Sequence, residues 1–460
     1  MKNNERFHAA GIGLVLACAV AGISLLHAQA DEAVYIKAKK IYSCEKGLVI
    51  TNGGILVRGK KFIEVHQKAK SPKGVQIIDL SDKVVIPGLI DAYSYLGFHQ
   101  EDYNVRIEPP PPWRAALPGA FRLVIGGPEE APRAPRRIEA RFRASEAVFY
   151  GDESFKAVLA EGIISALIAI PTENFTGGMP FLMNLAASSP SDLAVVDPAG
   201  VEFTFAGERN VARRYGDLEK IFLDAREYRK RFEKYLRDLK KYQESLNSGK
   251  EEKGKGDKTQ VPAPAAKEVP EPKEPKKDDN QEVILQILDR KIPALIRASR
   301  ENEIQAALKL KDEFGIRLVV VGGHEAYKIP EDLKARNVSV IAGPEVIVEK
   351  KGQRINYIRE LLSHGIPVAL GSSSSAAASF LPFQLSYAVQ YGLSRAEALD
   401  TVTAHAAGIL GVADRMGSIA AGKDADFVVL DGDPFELATR VKGIYLKGIK
   451  VYSDDGSLSR

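Results

Sequence analysis

The sequence predicts an α/β fold, a TIM-like (β/α)8 barrel with a smaller β domain beside it. Apolar runs of strand length alternate with amphipathic helical stretches through the middle of the chain. Short runs punctuated by glycine, the texture of strands joined by tight turns, occupy both ends. The 460 residues suffice for one large barrel and a satellite domain. The formal net charge of +4 is small for this length and the signs are interspersed, which argues against a nucleic-acid binder.

Taken in order, residues 1–30 read as a signal peptide. Lys2 and Arg6 precede an apolar run over 9–26 that ends in Ala28-Gln29-Ala30, so cleavage is expected before Asp31 and the mature protein is expected to be exported, periplasmic or secreted. Cys18 fits a lipid-anchor site poorly, because Leu16 precedes it unfavourably and the apolar run continues past it. After cleavage Cys44 is the one remaining thiol, so no internal disulfide is available and the core alone must supply stability. Residues 31–83 and 413–460 hold the strand-like runs of the two ends.

The barrel is expected over 84–412, with its clearest strands at 163–170, 317–321, 338–342 and 367–370. A helix is predicted over 301–314, with Ile304, Ala307, Leu308 and Lys311 on one stripe. Two insertions interrupt the pattern. The first, 100–143, carries Pro109 to Pro112, Trp113, Arg133, Arg136, Arg137 and Arg141; it reads as a solvated loop or as a basic grip on an acidic ligand. The second, 217–281, opens with a heptad seam of Ile221, Ala225, Tyr228, Phe232, Tyr235, Leu239, Tyr242 and Leu246, expected to pack on the protein's own barrel or on a second subunit. It continues into a Lys/Glu/Pro/Gly tract over 248–281 that has no aromatic residue and is expected to be disordered.

The stretch Val84-Val85-Ile86-Pro87-Gly88-Leu89-Ile90-Asp91-Ala92-Tyr93-Ser94-Tyr95-Leu96-Gly97 resembles the first barrel strand of the amidohydrolase superfamily, which reads V-I-P-G-L-I-D-A-H-x-H-L-G. Near the other end, Gly417-Ser418-Ile419-Ala420-Ala421-Gly422-Lys423-Asp424-Ala425-Asp426-Phe427-Val428-Val429-Leu430-Asp431-Gly432-Asp433-Pro434 resembles the C-terminal signature of the imidazolonepropionase-like and dihydroorotase-like branch. The resemblance implies a metal-dependent hydrolase of carbon-nitrogen bonds, in which the two chain ends form one small β-sandwich, the metal-dependent hydrolase composite domain. It also implies ligands at the C-terminal ends of the barrel strands, a metal that acidifies a bound water, and an Asp base.

Each ligand position that the resemblance implies carries another residue here. The strand-one histidines fall on Tyr93 and Tyr95, and a phenol must lose a proton, with an ordinary pKa of about 10, before it binds metal well. The I-H-A-H-R motif of exported relatives falls on Ile296-Arg297-Ala298-Ser299-Arg300. Arginine has no lone pair and keeps its charge, so Arg297 would repel a cation. The E-H-G-T-E-A-Y-K motif falls on Val321 to Lys328, with Gly322 at the ligand position and His324 two residues beyond it. The Asp of A-L-G-S-D is Ser373. A surviving pocket loop is read in Pro171-Thr172-Glu173-Asn174-Phe175-Thr176-Gly177-Gly178-Met179.

Three functional readings follow from these residues. The first is a catalytically inactive, metal-free amidohydrolase-like pseudoenzyme that acts in binding, with a small molecule at the barrel mouth, or as a homo-oligomer or partner of an active relative. The second is a hydrolase acting on non-peptide carbon-nitrogen bonds through a relocated site of His324, Glu325, His99 and Glu173, with zinc or another divalent metal. The third is an anion-binding pocket with Arg297 and Arg300 at the mouth and Ser372 to Ser375 as donors. In that pocket Arg297 would need a counter-charge, assigned to Glu173 or Asp91.

Overall fold

The computed structural model describes residues 33–68, 70–98, 139–172, 175–187, 190–205, 210–252 and 270–454. The expected signal peptide, His99, Glu173 and Asn174, positions 100–138 of the first insertion and 253–269 of the charged tract lie outside them.

Strands β1 (Ala33–Tyr42), β2 (Val49–Arg58), β3 (Lys61–His66) and β4 (Gln76–Pro87) open the described chain. β1 pairs antiparallel with β2 and parallel with β4, so the fourth strand returns beside the first. The motif residues 84–87 are the end of β4, which leads directly into β5 (Leu89–Ser94). After helix α1 (Ser154–Ala160) comes β6 (Ile163–Ile168), parallel to β5. Every residue of β5 and β6 is buried, the pattern of a parallel sheet covered on both faces.

Strands β7 (Thr176–Gly178), β8 (Phe181–Asn184), β9 (Ala194–Val196) and β10 (Val201–Thr204) follow. β8 and β9 extend the β5–β6 sheet, while β7 borders β10. Helices α2 (Val211–Glu252) and α3 (Asp279–Leu288) precede β11 (Ala294–Ala298). From there the alternation is regular: α4 (Glu301–Phe314), β12 (Leu318–Gly322), α5 (Pro330–Ala335), β13 (Ser339–Ala342), the hairpin of β14 (Ile347–Lys350) and β15 (Gln353–Asn356), α6 (Tyr357–Ser363) and β16 (Val368–Leu370). β10, β11, β12, β13 and β16 are parallel neighbours in that order. The α/β class therefore stands, with the parallel strands hydrogen-bonded as two sheets rather than one ring of eight.

Helices α7 (Leu381–Gln390), α8 (Arg395–Thr401) and α9 (Ala404–Ile409) lead back to the first sheet, where β17 (Phe427–Leu430), β18 (Val441–Leu446) and β19 (Ile449–Ser453) complete the order β19-β18-β17-β4-β1-β2-β3. β17 lies against residues 84–87 of β4, so the two ends of the chain share one seven-stranded sheet. Ile36, Ile41, Ile55, Phe62, Val85 and Phe427 form its own apolar core.

The heptad helix follows the expected seam from Ala225 to Tyr242, all buried or half-buried, and differs at its start and in its extent. α2 starts before the predicted seam, and its buried residues are Leu218, Phe222, Ala225 and Tyr228, with Phe222 in place of Ile221. Phe222 stacks between Phe203 of β10 and Phe314 of α4, at 5.8 and 4.9 Å, so this half packs on the protein's own body. The second half of the seam is less covered, and Leu246 is exposed. The charged tract is also shorter than expected: α2 continues to Glu252, and Asp278 caps α3 by accepting from the amides of Asn280 and Gln281.

Asp91 joins the two sheets. It is fully buried and accepts from the Ser372 amide (2.9 Å), the Ser372 hydroxyl (2.6 Å) and the Tyr93 amide (3.2 Å), while the Ser373 amide donates to the Tyr93 carbonyl (2.9 Å). The ends of β5 and β16 are thereby held together although no ladder pairs them. Burial pushes the Asp91 carboxyl up to about 6, against the pull of these donors. Between about pH 4 and 6 the folded protein keeps a proton that the unfolded chain has released, so Asp91 lowers stability as pH rises through that window, by roughly 3 kcal/mol at most. Urea unfolding at steps from pH 4 to 7 should show this fall in the native protein and a flatter profile in Asp91→Asn; identical profiles would contradict it.

Candidate functional site

Alternation along β5 and the loop after it puts Tyr93 and Tyr95 on one side. Their hydroxyls lie 3.3 Å apart and their rings meet edge-on at 5.5 Å. The Tyr95 hydroxyl accepts a 2.8 Å hydrogen bond from Arg297 Nη1, which also reaches the Thr172 carbonyl at 3.3 Å. Burial raises both phenols, Tyr93 well above its ordinary range, while the Arg297 charge works in the other direction. Both tyrosines therefore stay protonated at neutral pH, and neither is a good metal ligand.

The counter-charge of Arg297 is Glu202, on the neighbouring strand β10, with its Oε1 3.5 Å from Nη1. This corrects the expectation of Asp91, whose oxygens are taken up by the joint between β5 and β16; the other expected partner, Glu173, lies outside the described residues. Thr204 is the cross-strand neighbour of Arg297 and Glu202 lies two residues before it on the same face. Glu202 is only 1 % exposed. Burial raises its carboxyl, and Arg297 and Tyr93 oppose that rise. Gly177 makes the space for it, because a Cβ there would lie 2.8 Å from the Glu202 carboxyl carbon. That gives the glycine of the surviving pocket loop a specific purpose. Burial also works against the Arg297 charge, but Tyr95, Tyr93 and Glu202 outweigh it and hold the guanidinium protonated.

Next to this cluster, Gly322 sits at φ +94°, a left-handed conformation that disfavours any side chain. Its missing Cβ would point at Ser299 Oγ (3.0 Å) and His324 Nδ1 (4.0 Å). His324 Nδ1 is 3.1 Å from Ser299 Oγ, and its Nε2 is 3.4 Å from Glu345 Oε2, just after β13. Glu325 does not join it. Its carboxylate accepts from the Glu301 amide (2.9 Å) and pairs with Lys328 (2.5 Å), which together outweigh burial and lower it. His99 lies outside the described residues. Ser373 stands at φ +51° with its amide bonded to Tyr93.

The anion-pocket expectation meets two corrections. The Arg300 guanidinium is half exposed and turned onto Glu303 at 2.6 Å, and the Ser372 hydroxyl is occupied by Asp91. Arg141 of the first insertion pairs with Glu139 at 2.7 Å. Of the other histidines, His364 caps α6 with Nδ1 2.8 Å from the Glu360 carbonyl, and burial lowers His405 on α9. Sequence reasoning missed Glu202 and Glu345. The first had a visible signal, a lone acid in the apolar run Val201-Glu202-Phe203-Thr204-Phe205.

These residues do not fit a metal of the kind the motifs imply. The donor set is two protonated phenols, a guanidinium already paired with a carboxylate, two serines and a glycine whose backbone disfavours a side chain. Among the described residues no group of three or more His, Cys, Asp or Glu converges on a point where a metal ion could be held.

The sequence model of the Amidohydrolase family matches residues 294–455. The chain is 22 % identical over 438 residues to the amidohydrolase tasK of Hapsidospora irregularis, covering 89 % of this chain and 41 % of that protein. It is 39 % identical over 102 residues to the imidazolonepropionase of Phocaeicola vulgatus, covering 20 % and 25 %. The chain thus spans less than half the length of these relatives. Among solved structures it is similar to an amidohydrolase from Thermotoga maritima MSB8, at TM-score 0.64 and 25 % identity, covering 91 % of this chain and 100 % of that one. It shares its fold with phenylurea hydrolase B at TM-score 0.51 and 16 % identity, covering 93 % and 98 %. The matched family model over residues 294–455, the relatives and the solved structures agree in supporting membership of the amidohydrolase superfamily.

Proposed function

We propose that this protein is an exported amidohydrolase-like pseudoenzyme: a (β/α)8 barrel with a composite β-sandwich that no longer performs metal-dependent hydrolysis and acts in ligand binding or as a partner of an active relative. The observation that carries this reading is the Arg297–Glu202 pair. A guanidinium stands where the resemblance puts a metal ligand, its charge balanced by a buried carboxylate. The positive charge a metal would bring is supplied by the chain itself, in a form that offers no lone pair and coordinates no water. The likeness to solved amidohydrolases over nine-tenths of the chain and the joint between β5 and β16 support the barrel. The shared sheet of the chain ends supports the composite domain. Export rests on residues 1–30 alone, and the partner on analogy with related barrels.

The direct test is elemental analysis of the full chain, purified without chelators from cells supplied with zinc, manganese and iron. Less than about a tenth of an equivalent of each is expected. Near one equivalent would overturn the reading. The ion pair gives a separate expectation. Arg297→Met leaves Glu202 buried without its partner and should cost about 3–5 kcal/mol at pH 8. The cost should shrink as the pH is lowered, because burial raises this carboxyl and the orphaned group takes up a proton. Adding Glu202→Gln should restore most of the loss in a urea titration; a single variant as stable as the native protein would show that the pair is not holding the pocket. A third expectation concerns reversal: Arg297→His with Ser373→Asp should still bind less than about a tenth of an equivalent of zinc, because Gly322 and the tyrosines are unchanged.

A further inference from the structure

Ser299, His324 and Glu345 stand at the C-terminal ends of three successive parallel strands, β11, β12 and β13. That is the end of an α/β barrel where groups from separate strands are brought to one substrate. The spacing follows the logic of an activated nucleophile: hydroxyl to imidazole at 3.1 Å, imidazole to carboxylate at 3.4 Å. We propose that these three residues form a metal-independent acyl-transfer site for small carboxylic esters, a chemistry that goes beyond the loss of metal-dependent hydrolysis.

The surroundings hold this geometry in place. The Ser299 amide donates to Glu303 Oε2 at 2.8 Å, which fixes the strand end on the first turn of α4. The loop after β12 is tied to the end of β11 by the Gly323 amide on the Ala298 carbonyl and the Glu325 amide on the Ser299 carbonyl, at 2.8 and 2.9 Å. His324 also packs against the Tyr357 ring at 5.5 Å, whose hydroxyl accepts from the Gly343 amide two residues before Glu345. The imidazole and the carboxylate side chains are 28 % and 24 % exposed, so they are confined yet reachable from solvent. Gly322 contributes the open space: the absent Cβ would sit against both Ser299 Oγ and His324 Nδ1, where an incoming carbonyl has to approach.

In the first step Ser299 Oγ attacks the ester carbonyl carbon, the O–H proton passes to His324 Nδ1, and the carbonyl π pair moves onto its oxygen. Glu345 faces the Nε2–H and stabilises the imidazolium that forms. Collapse breaks the bond to the alcohol, which leaves with the proton from Nδ1. Water then attacks the acyl-serine by the same proton path, releasing the carboxylic acid and restoring Ser299. Esters suit the site better than amides, because an alkoxide leaves with less help from an acid.

The test uses the full chain in EDTA, with a fluorophosphonate probe followed by peptide mass spectrometry, and p-nitrophenyl acetate as substrate. Ser299 should be the labelled serine. Ser299→Ala should lose both labelling and turnover to the buffer rate, while Ser363→Ala, an exposed hydroxyl elsewhere, keeps both. His324→Asn should slow turnover at least about 100-fold, and thermal melting should show that these variants remain folded. An unlabelled Ser299 in the native protein, or full turnover in Ser299→Ala, overturns the proposal and leaves the pseudoenzyme reading standing. Ester turnover that EDTA abolishes overturns both.

Discussion

A carboxyl group with no path to water has to find its hydrogen bonds inside the protein, and Asp91 finds them on both sides of a seam that no strand ladder closes. Its donors come from β5 itself and from the segment after β16, so satisfying one buried group also fixes where the first parallel strand ends relative to the last. Everything at the mouth inherits that placement. Tyr93 and Tyr95 rise from the fixed end of β5, Ser373 is bonded to it, and Arg297 meets Tyr95 from the other parallel sheet.

On the reading proposed above, one kind of positive charge stands in this placement instead of another. A metal site needs several lone pairs converging on a point, and it leaves one coordination position open for water. A guanidinium needs flat acceptors around its edge and leaves nothing open. Tyr95 and the Thr172 carbonyl are acceptors of the second sort, while Glu202 supplies the counter-charge at 3.5 Å and fits only because Gly177 has no side chain. The Arg297 charge is thereby balanced within the protein, and on the reading proposed above no metal-bound water is formed at that point.

Much of the fold was legible in the chain. Apolar runs at strand length located β6, β12, β13 and β16 within about two residues, and the stripe on 301–314 is α4, its bounds unchanged. The seam of the long helix was legible from Ala225 to Tyr242, but its first contacts were not, because Phe222 packs on Phe203 of β10 and Phe314 of α4, contacts that a repeat in one dimension does not contain. At the site, the changed identities of Tyr93, Tyr95, Arg297, Ser299, Gly322 and Ser373 could be read from the motifs. Their new partners could not. Glu202 and Glu345 reach the site from strands far from those motifs, and a pairing of that kind is a property of strand order rather than of spacing.

Gly322 adds a historical dimension. At φ +94° the chain has taken a path that a residue with a side chain resists, and the space a ligand would have entered now adjoins Ser299 and His324. A side chain introduced at Gly322 would meet a left-handed main chain that resists it and the Ser299 hydroxyl 3.0 Å from its Cβ. On the reading proposed above, a metal site at this point would be harder to regain than to replace, because a histidine at Gly322 would need a different backbone path as well as a different side chain.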